Sequence, residues 1–369
     1  MNHSEALTLV SVFIFVATYT VIAIGRIPGL RVDRTGASLA GASLMVACGV
    51  LSLDEAERAI DLDTLVLLLG MMIVVAHLKL SGFFRLVNGW VLRRTHRPVL
   101  ILAAVLLTSG FFSAFLVNDT ICLVMTPLVF DLVKRLKRNP VPYLLAVAMA
   151  SNIGSTATIT GNPQNIMIGS FSHIAYGTFA AALSPVAAIG LAIAMAMIAL
   201  YFRRHFTVGV VPLELPLEHY SRALVIKSVA ITAAMVVFFF LGQPVAKVAI
   251  AAGGLLLLTR RVKPQKVYHE IHFSLLVLFA GLFVVAAGIQ KPVFTPETLA
   301  YAKHLHLEGV AVISALAAVL SNIVSNVPAV LVLKPFIEQL TSHRDQAWLA
   351  LAKTASKSVF GNTSALARR

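Results

Sequence analysis

The sequence predicts an all-α polytopic membrane protein. It reads as two inverted-topology repeats, each with a re-entrant hairpin and a broken helix, the second incomplete. Three observations carry this. Of 369 residues, 58% are hydrophobic and only 12% charged, and mean hydropathy is +0.87, too apolar for a soluble domain. Apolar runs of about 20 residues recur along the chain, the length that crosses a bilayer. Two of the long apolar stretches are broken midway by polar residues, at Asn118-Asp119-Thr120 and at Ser325-Asn326.

A formal charge of +14 could point to nucleic acid. The basic residues instead fall in short loops between apolar runs, as the positive-inside rule expects, so nucleic acid is excluded as a partner and the lipid bilayer takes its place. Cys48 and Cys122 both lie inside apolar runs and give neither a disulfide framework nor metal spacing. Met1 to Thr8 carries only Glu5 and lacks a basic n-region, so the first run reads as a retained span.

Taken in order, the first span covers about residues 6–25. Arg26, Arg31 and Arg34 follow it, which places that loop in the cytoplasm and the N-terminus outside. The second runs over about 36–51 and leads to an external acidic loop, Asp54-Glu55-Ala56-Glu57-Arg58. The third, about 62–78, returns to Lys79, Arg85, Arg93, Arg94 and Arg97. Residues 83–92 fit an amphipathic helix at that surface. Residues 98–132 then carry basic flanks at both ends, the second being Lys134-Arg135-Leu136-Lys137-Arg138. Both ends on one face predict a re-entrant hairpin with its tip at Asn118; two short full spans are the alternative. From Pro142 the chain crosses outward, interrupted over Gly154 to Gln164. A span over 178–202 closes the first repeat, residues 1–204, and a cytoplasmic linker over 205–221 divides the halves.

The second repeat, 222–352, follows the same plan, with spans over 223–241, 245–258 and 273–289. The last of these exits to a loop with Pro292 and Pro296, and an interrupted run follows over 310–340. The register repeats: Asn118 precedes Pro127 by the interval that separates Asn326 from Pro335. Charge counting has the first hairpin enter from inside and the second from outside, which is an inverted repeat with its polar elements near the midplane. Residues 353–369 form an atypical tail. Lys353 and Lys357 sit early for a span, and no counterpart of Gly161-Asn162-Pro163-Gln164-Asn165 follows them. The expectation is a chain truncated near Lys353.

Broken helices at membrane depth expose backbone groups that only a cavity or packed protein can satisfy. N–H ends favour an anion and carbonyl ends a cation. The candidate binding residues are Asn118, Asp119, Thr120, Ser151, Asn152, Ser155, Thr156, Thr158, Asn162, Gln164, Asn165, Ser325 and Asn326. Amides, hydroxyls and a carboxylate, without thiolates, suit sodium or an oxyanion. No dedicated cofactor or further metal is expected, and sodium or a proton is the coupling ion. Asp119 is the one mid-membrane carboxylate of the first half. It reads either as the proton or sodium carrier or as a cap of the second hairpin arm. The hydroxyls have a plainer use, bonding to their own helix backbone. His269-Glu270-Ile271-His272 has the wrong spacing for a zinc-protease helix and reads as a polar helix start.

Asn118-Asp119-Thr120-Ile121-Cys122-Leu123-Val124-Met125-Thr126-Pro127 resembles the Asn-Asp-x-x-x-Leu-x-x-Thr-Pro signature of arsenite-pump membrane subunits and related bacterial anion permeases. These belong to the ion transporter superfamily, with its divalent-anion/sodium symporters and citrate transporters. Ser151 to Asn165 resembles the unwound segment of that superfamily, and Ser325-Asn326 resembles its second hairpin tip. The resemblance implies substrate, and sodium where used, bound between hairpin tips and unwound segments in a homodimer with elevator-like movement.

The resulting expectation is a bacterial inner-membrane secondary transporter of a small inorganic or organic anion, driven by a proton or sodium gradient or by an ATPase partner subunit. The alternatives are a sodium/proton antiporter and a non-transporting truncated remnant. An enzyme is not expected, because no His-Glu-x-x-His, Gly-x-Gly-Asp or Gly-x-Ser-x-Gly pattern appears, nor a nucleotide-binding loop.

Overall fold

A computed structural model describes residues 3–25, 32–94, 97–206, 220–259, 261–293, 309–323, 326–341 and 343–355. Among them there is no strand. In chain order the helices are α1 His3–Ile24, α2 Arg34–Ala47, α3 Leu53–Ala59, α4 Leu62–Ser81, α5 Phe83–Arg94, α6 Pro98–Phe115, α7 Asn118–Arg135 and α8 Val141–Ser155. A 3-10 turn at Ile159–Gly161 leads to α9 Pro163–Ser172, α10 Tyr176–Tyr201, α11 Arg203–Phe206, α12 Arg222–Phe240 and α13 Val245–Leu257. The last are α14 Pro264–His269, α15 Phe273–Val293, α16 Val310–Ile323, α17 Asn326–Leu340 and α18 Arg344–Ala355. Six of these helices are long and apolar enough to cross a membrane: those at Glu5–Ile24, Leu62–Ser81, Pro98–Phe115, Tyr176–Tyr201, Arg222–Phe240 and Phe273–Val293.

The chain forms two compact units. One draws on Met1–Leu65, Ser170–Ser172 and His272–Arg369. Here α2 lies along α15, and α1 packs on both. Close approach depends on Gly281, where a Cβ would come within 2.8 Å of the Ser38 backbone. In the same unit α16 and α17 form a helical hairpin, and α18 packs on both of its arms. The other unit draws on Val66–Gly169 and His173–Ile271. There α6 and α7 pair, α8 packs on both, and α10 covers α8 and α6. The α6–α8 contact is backbone on backbone, since a Cβ on Gly154 would sit 2.2 Å from the Gly110 carbonyl oxygen.

Several expectations shift. The second predicted span is a helix only to Ala47; Cys48 caps it and Gly49, at φ 73, turns the chain. The acidic loop expected to be external is helical. Ser52 opens α3 with a reciprocal capping box, its N–H donating to Glu55 Oε2 at 2.8 Å and its Oγ accepting from Glu55 N at 3.2 Å. Pro292 lies inside the end of α15 rather than in a loop. The helix beginning at Arg344 runs to Ala355 and buries Trp348, Leu351, Ala352 and Ala355. Ser325, most of the linker (207–219), Pro296 and tail residues 356–369 lie outside the described residues.

Candidate functional site

The break between α6 and α7 falls at Leu116-Val117, both buried. Asn118 is therefore the first residue of α7 rather than the middle of a loop. Val117 precedes it as a cap residue with no side-chain hydrogen bond. Alternate residues of the tip diverge: Asn118 and Thr120 are buried, while Asp119 is exposed. Asn118 Nδ2 donates to Asn152 Oδ1 at 3.1 Å, and Asn152 Nδ2 in turn donates to the Ala148 carbonyl at 3.1 Å. The two amides thus tie the tip to α8. Asn118 Oδ1 remains buried with no hydrogen-bond donor.

Near its end at Ser155, α8 has side chains that turn back on its own carbonyls. Ser151 Oγ donates to Ala148 O at 3.2 Å, Ser155 Oγ to Asn152 O at 2.8 Å and Thr156 Oγ1 to Asn152 O at 3.3 Å. The unwound segment beyond is held by asparagines. Asn162 Oδ1 accepts from Asn165 N at 2.8 Å and so caps α9, with Pro163 in its first turn. Asn162 Nδ2 reaches back to Ser155 O at 3.3 Å, and Asn165 Nδ2 donates to Thr158 O at 3.0 Å. Asn165 Oδ1, like Asn118 Oδ1, is buried and without a donor. Gly161 is needed here, since a Cβ would lie 2.0 Å from the Ser155 carbonyl oxygen. Gln164 is also buried, at 7% exposure.

A hydroxyl chain joins this segment to the hairpin. Thr158 Oγ1 donates to the Ala114 carbonyl, and it shares a 3.3 Å bond with Thr160 Oγ1. Thr160 shares a 2.8 Å bond with the buried Tyr176 hydroxyl and donates to Phe115 O at 3.4 Å. Two open carbonyls at the end of α6, those of Ala114 and Phe115, thereby gain donors. Tyr176 was not among the sequence candidates; nothing in the pattern of residues marks it, because its partner comes from another element.

The candidate residues from Asn118 to Asn165 are thus gathered around the end of α8, with Asp119 turned outward. In the other unit Asn326 opens α17 as Asn118 opens α7, and Pro335 sits inside α17 as Pro127 sits inside α7. No group of three or more metal-ligating side chains occurs among the described residues.

A many-spanned helical chain with polar, interrupted helices has the architecture of a membrane transporter. The citrate transporter family profile matches residues 19–355. An uncharacterized transporter of Mycobacterium tuberculosis (strain ATCC 25618 / H37Rv) is 30% identical over 392 residues, covering 98% of this chain and 88% of that protein. A silicon efflux transporter of Oryza sativa subsp. japonica is 28% identical over 409 residues, covering 92% of this chain and 84% of that protein. The solved YdaH transporter of Alcanivorax borkumensis, described as having an unusual topology, shares the fold at a TM-score of 0.58. Its identity is 16%, over 97% of this chain and 87% of that one. The chain belongs to the citrate transporter family. It is a multi-pass membrane transporter, not an enzyme.

Proposed function

We propose that the protein is a secondary transporter of a small anion, a carboxylate, arsenite or a similar oxyacid, driven by a proton or sodium gradient. One observation carries the reading: the tip of the α6–α7 hairpin meets the unwound end of α8, leaving two buried amide oxygens, Asn118 Oδ1 and Asn165 Oδ1, without donors. A buried acceptor with no partner costs about 1–3 kcal/mol. A sodium ion, or the hydroxyl of a protonated oxyacid, would relieve it. The uncapped start of α7 supplies the positive end of a helix dipole for the anion.

The triplets α6–α7–α8 and α16–α17–α18, each a hairpin with a helix packed on both arms, support the inverted repeat. The same reading has the protein in the bacterial inner membrane as a homodimer, with the N-terminus outside. An ATPase subunit is the alternative to gradient drive. A second reading, a sodium/proton antiporter, has the same amide oxygens accept sodium and Asp119 carry the proton, without any anion.

The test is uptake by proteoliposomes containing the full chain, using labelled citrate, arsenite and sulfate, each with and without an imposed proton or sodium gradient. Gradient-dependent uptake of one anion supports the first reading. Sodium/proton exchange with no anion present supports the second. No flux of any kind overturns both.

A further inference from the structure

Lys334 is a cation set within an apolar helix. It lies in α17, directly before Pro335, where the first hairpin has Thr126 before Pro127. A buried or half-buried ammonium within such a helix is costly unless something compensates it. Its Nζ lies over the Phe171 ring, 3.9 Å from the centroid. Its nearest carboxylate, Glu338, is 3.9 Å away on the same helix, the outer limit of an ion pair. Both contacts compensate the charge only in part.

Lys334 lines a cavity of about 340 Å³ with Arg58, Asp61, Ser170, Phe171 and Gln290, a size that holds a small organic acid. Arg58, exposed on α3, makes no ion pair among the described residues. Asp61 is the one carboxylate in the lining. It is already committed to α4, accepting from Thr64 N at 3.2 Å and Thr64 Oγ1 at 2.9 Å. Gln290 is anchored by its amide N–H, which donates to Leu331 O at 3.1 Å. The cavity thus presents an ammonium, a guanidinium and the Ser170 hydroxyl around a space with an aromatic floor.

We propose that this cavity is a second anion site, holding a small carboxylate or oxyanion between Lys334 and Arg58 and setting the apparent affinity for transport. The lining shares no residue with the site around Asn118, and its role in transport rests on the anion reading above.

The fold supplies its own reporter. The Trp348 ring lies 6.2 Å, centroid to centroid, from Phe171, the ring beneath Lys334. With Trp90→Phe as background, the full chain in nanodiscs is titrated with citrate and, separately, with sulfate, following Trp348 emission at constant ionic strength. A saturable change is expected for at least one of them. Lys334→Gln and Arg58→Gln should each weaken it about tenfold or more, as expected for loss of a charge partner, with Lys334→Arg retaining most of it. In liposomes both Gln variants should raise KM with little change in maximal rate.

No saturable change with either anion overturns the proposal, as does a change that both Gln variants leave intact. Arg58→Gln, on an exposed helix, keeps the test open should Lys334→Gln fold poorly. A saturable, lysine-dependent signal in a chain that moves no anion would sustain the site while sinking the transport reading.

Discussion

Asn118 and Asn152 face each other across the hairpin tip, Nδ2 donating to Oδ1 at 3.1 Å, and this single bond fixes which atom of Asn118 is left over. The donor is spent on α8, so the carbonyl oxygen is the group offered to a ligand. Asn118→Ala removes both. The variant should fold with a stability loss of about 1–2 kcal/mol, because Asn152 Oδ1 loses its donor, and its transport should fall by at least tenfold, roughly the value of one ligand bond. Uptake measured beside thermal stability in detergent separates the two effects. Transport that falls only in proportion to stability would reduce the pair to a structural tie.

Asp119, one residue on, is exposed where its neighbours are buried. Asp119→Asn should therefore cost little stability, within about 0.5 kcal/mol, while removing a charge from the start of α7. The expectation is loss of gradient-coupled uptake with the protein present in the membrane at its usual level. Unchanged transport would return the carboxylate to a favourable helix-terminal charge, worth about 0.3–1 kcal/mol.

Glu55 serves two partners. It accepts the Ser52 N–H in the capping box and takes Lys291 Nζ at 2.6 and 2.9 Å. The lysine first, and then the Ser52 N–H, hold its carboxyl below the usual carboxylate value. A depressed folded-state pKa stabilises the native state above the unfolded value and loses that contribution as pH falls through the folded value. Glu55→Gln should thus lower the melting temperature at pH 7, and the gap to the parent should close as pH is taken below the ordinary carboxylate range. A gap that persists at low pH would assign the effect to packing rather than charge.

The breaks in the apolar runs could be read from sequence because polarity and helix breakers at membrane depth have few explanations. The chain leaves α-helix between Ser155 and Pro163, inside the predicted interruption, while Ser151 to Ser155 and Pro163 to Asn165 stay helical, and the second arms begin at Asn118 and Asn326. Helix α3 is also legible, since Ser52 and Glu55 have capping-box spacing, although an acidic run is equally a loop signal. Lys334 could have been found by its charge alone. The hydroxyl chain through Thr158, Thr160 and Tyr176 could not, because hydrogen-bond partners brought together by folding leave no periodic trace. The packing of α18 on α16 and α17 was hidden for the same reason. Its lysine, Lys353, is half-buried on a helix whose other side is covered by Trp348 and Leu351, an amphipathic arrangement that average hydropathy does not reveal.

The closest helix contact in the unit that holds the hairpin site gives the sharpest test of the fold. At Gly154 an added Cβ would meet the Gly110 oxygen, Cα and carbonyl carbon at 2.2, 2.5 and 2.6 Å. All three are backbone atoms, so no side chain can turn aside and the helices must separate. Gly154 lies one residue before the end of α8, so separation would also displace Asn152 from Asn118. Gly154→Ala should cost at least about 1–3 kcal/mol, the usual penalty of overpacking, and should abolish transport even in protein that survives. Gly254→Ala is the control. Nothing lies within 4 Å of the position an added methyl would take there, in α13, and replacing a helical glycine with alanine should be neutral or stabilise by about 0.5–1 kcal/mol. If the two variants behaved alike in thermal stability and uptake, α6 and α8 would not be in backbone contact, and the geometry derived for Asn118 and Asn152 would fall with that contact.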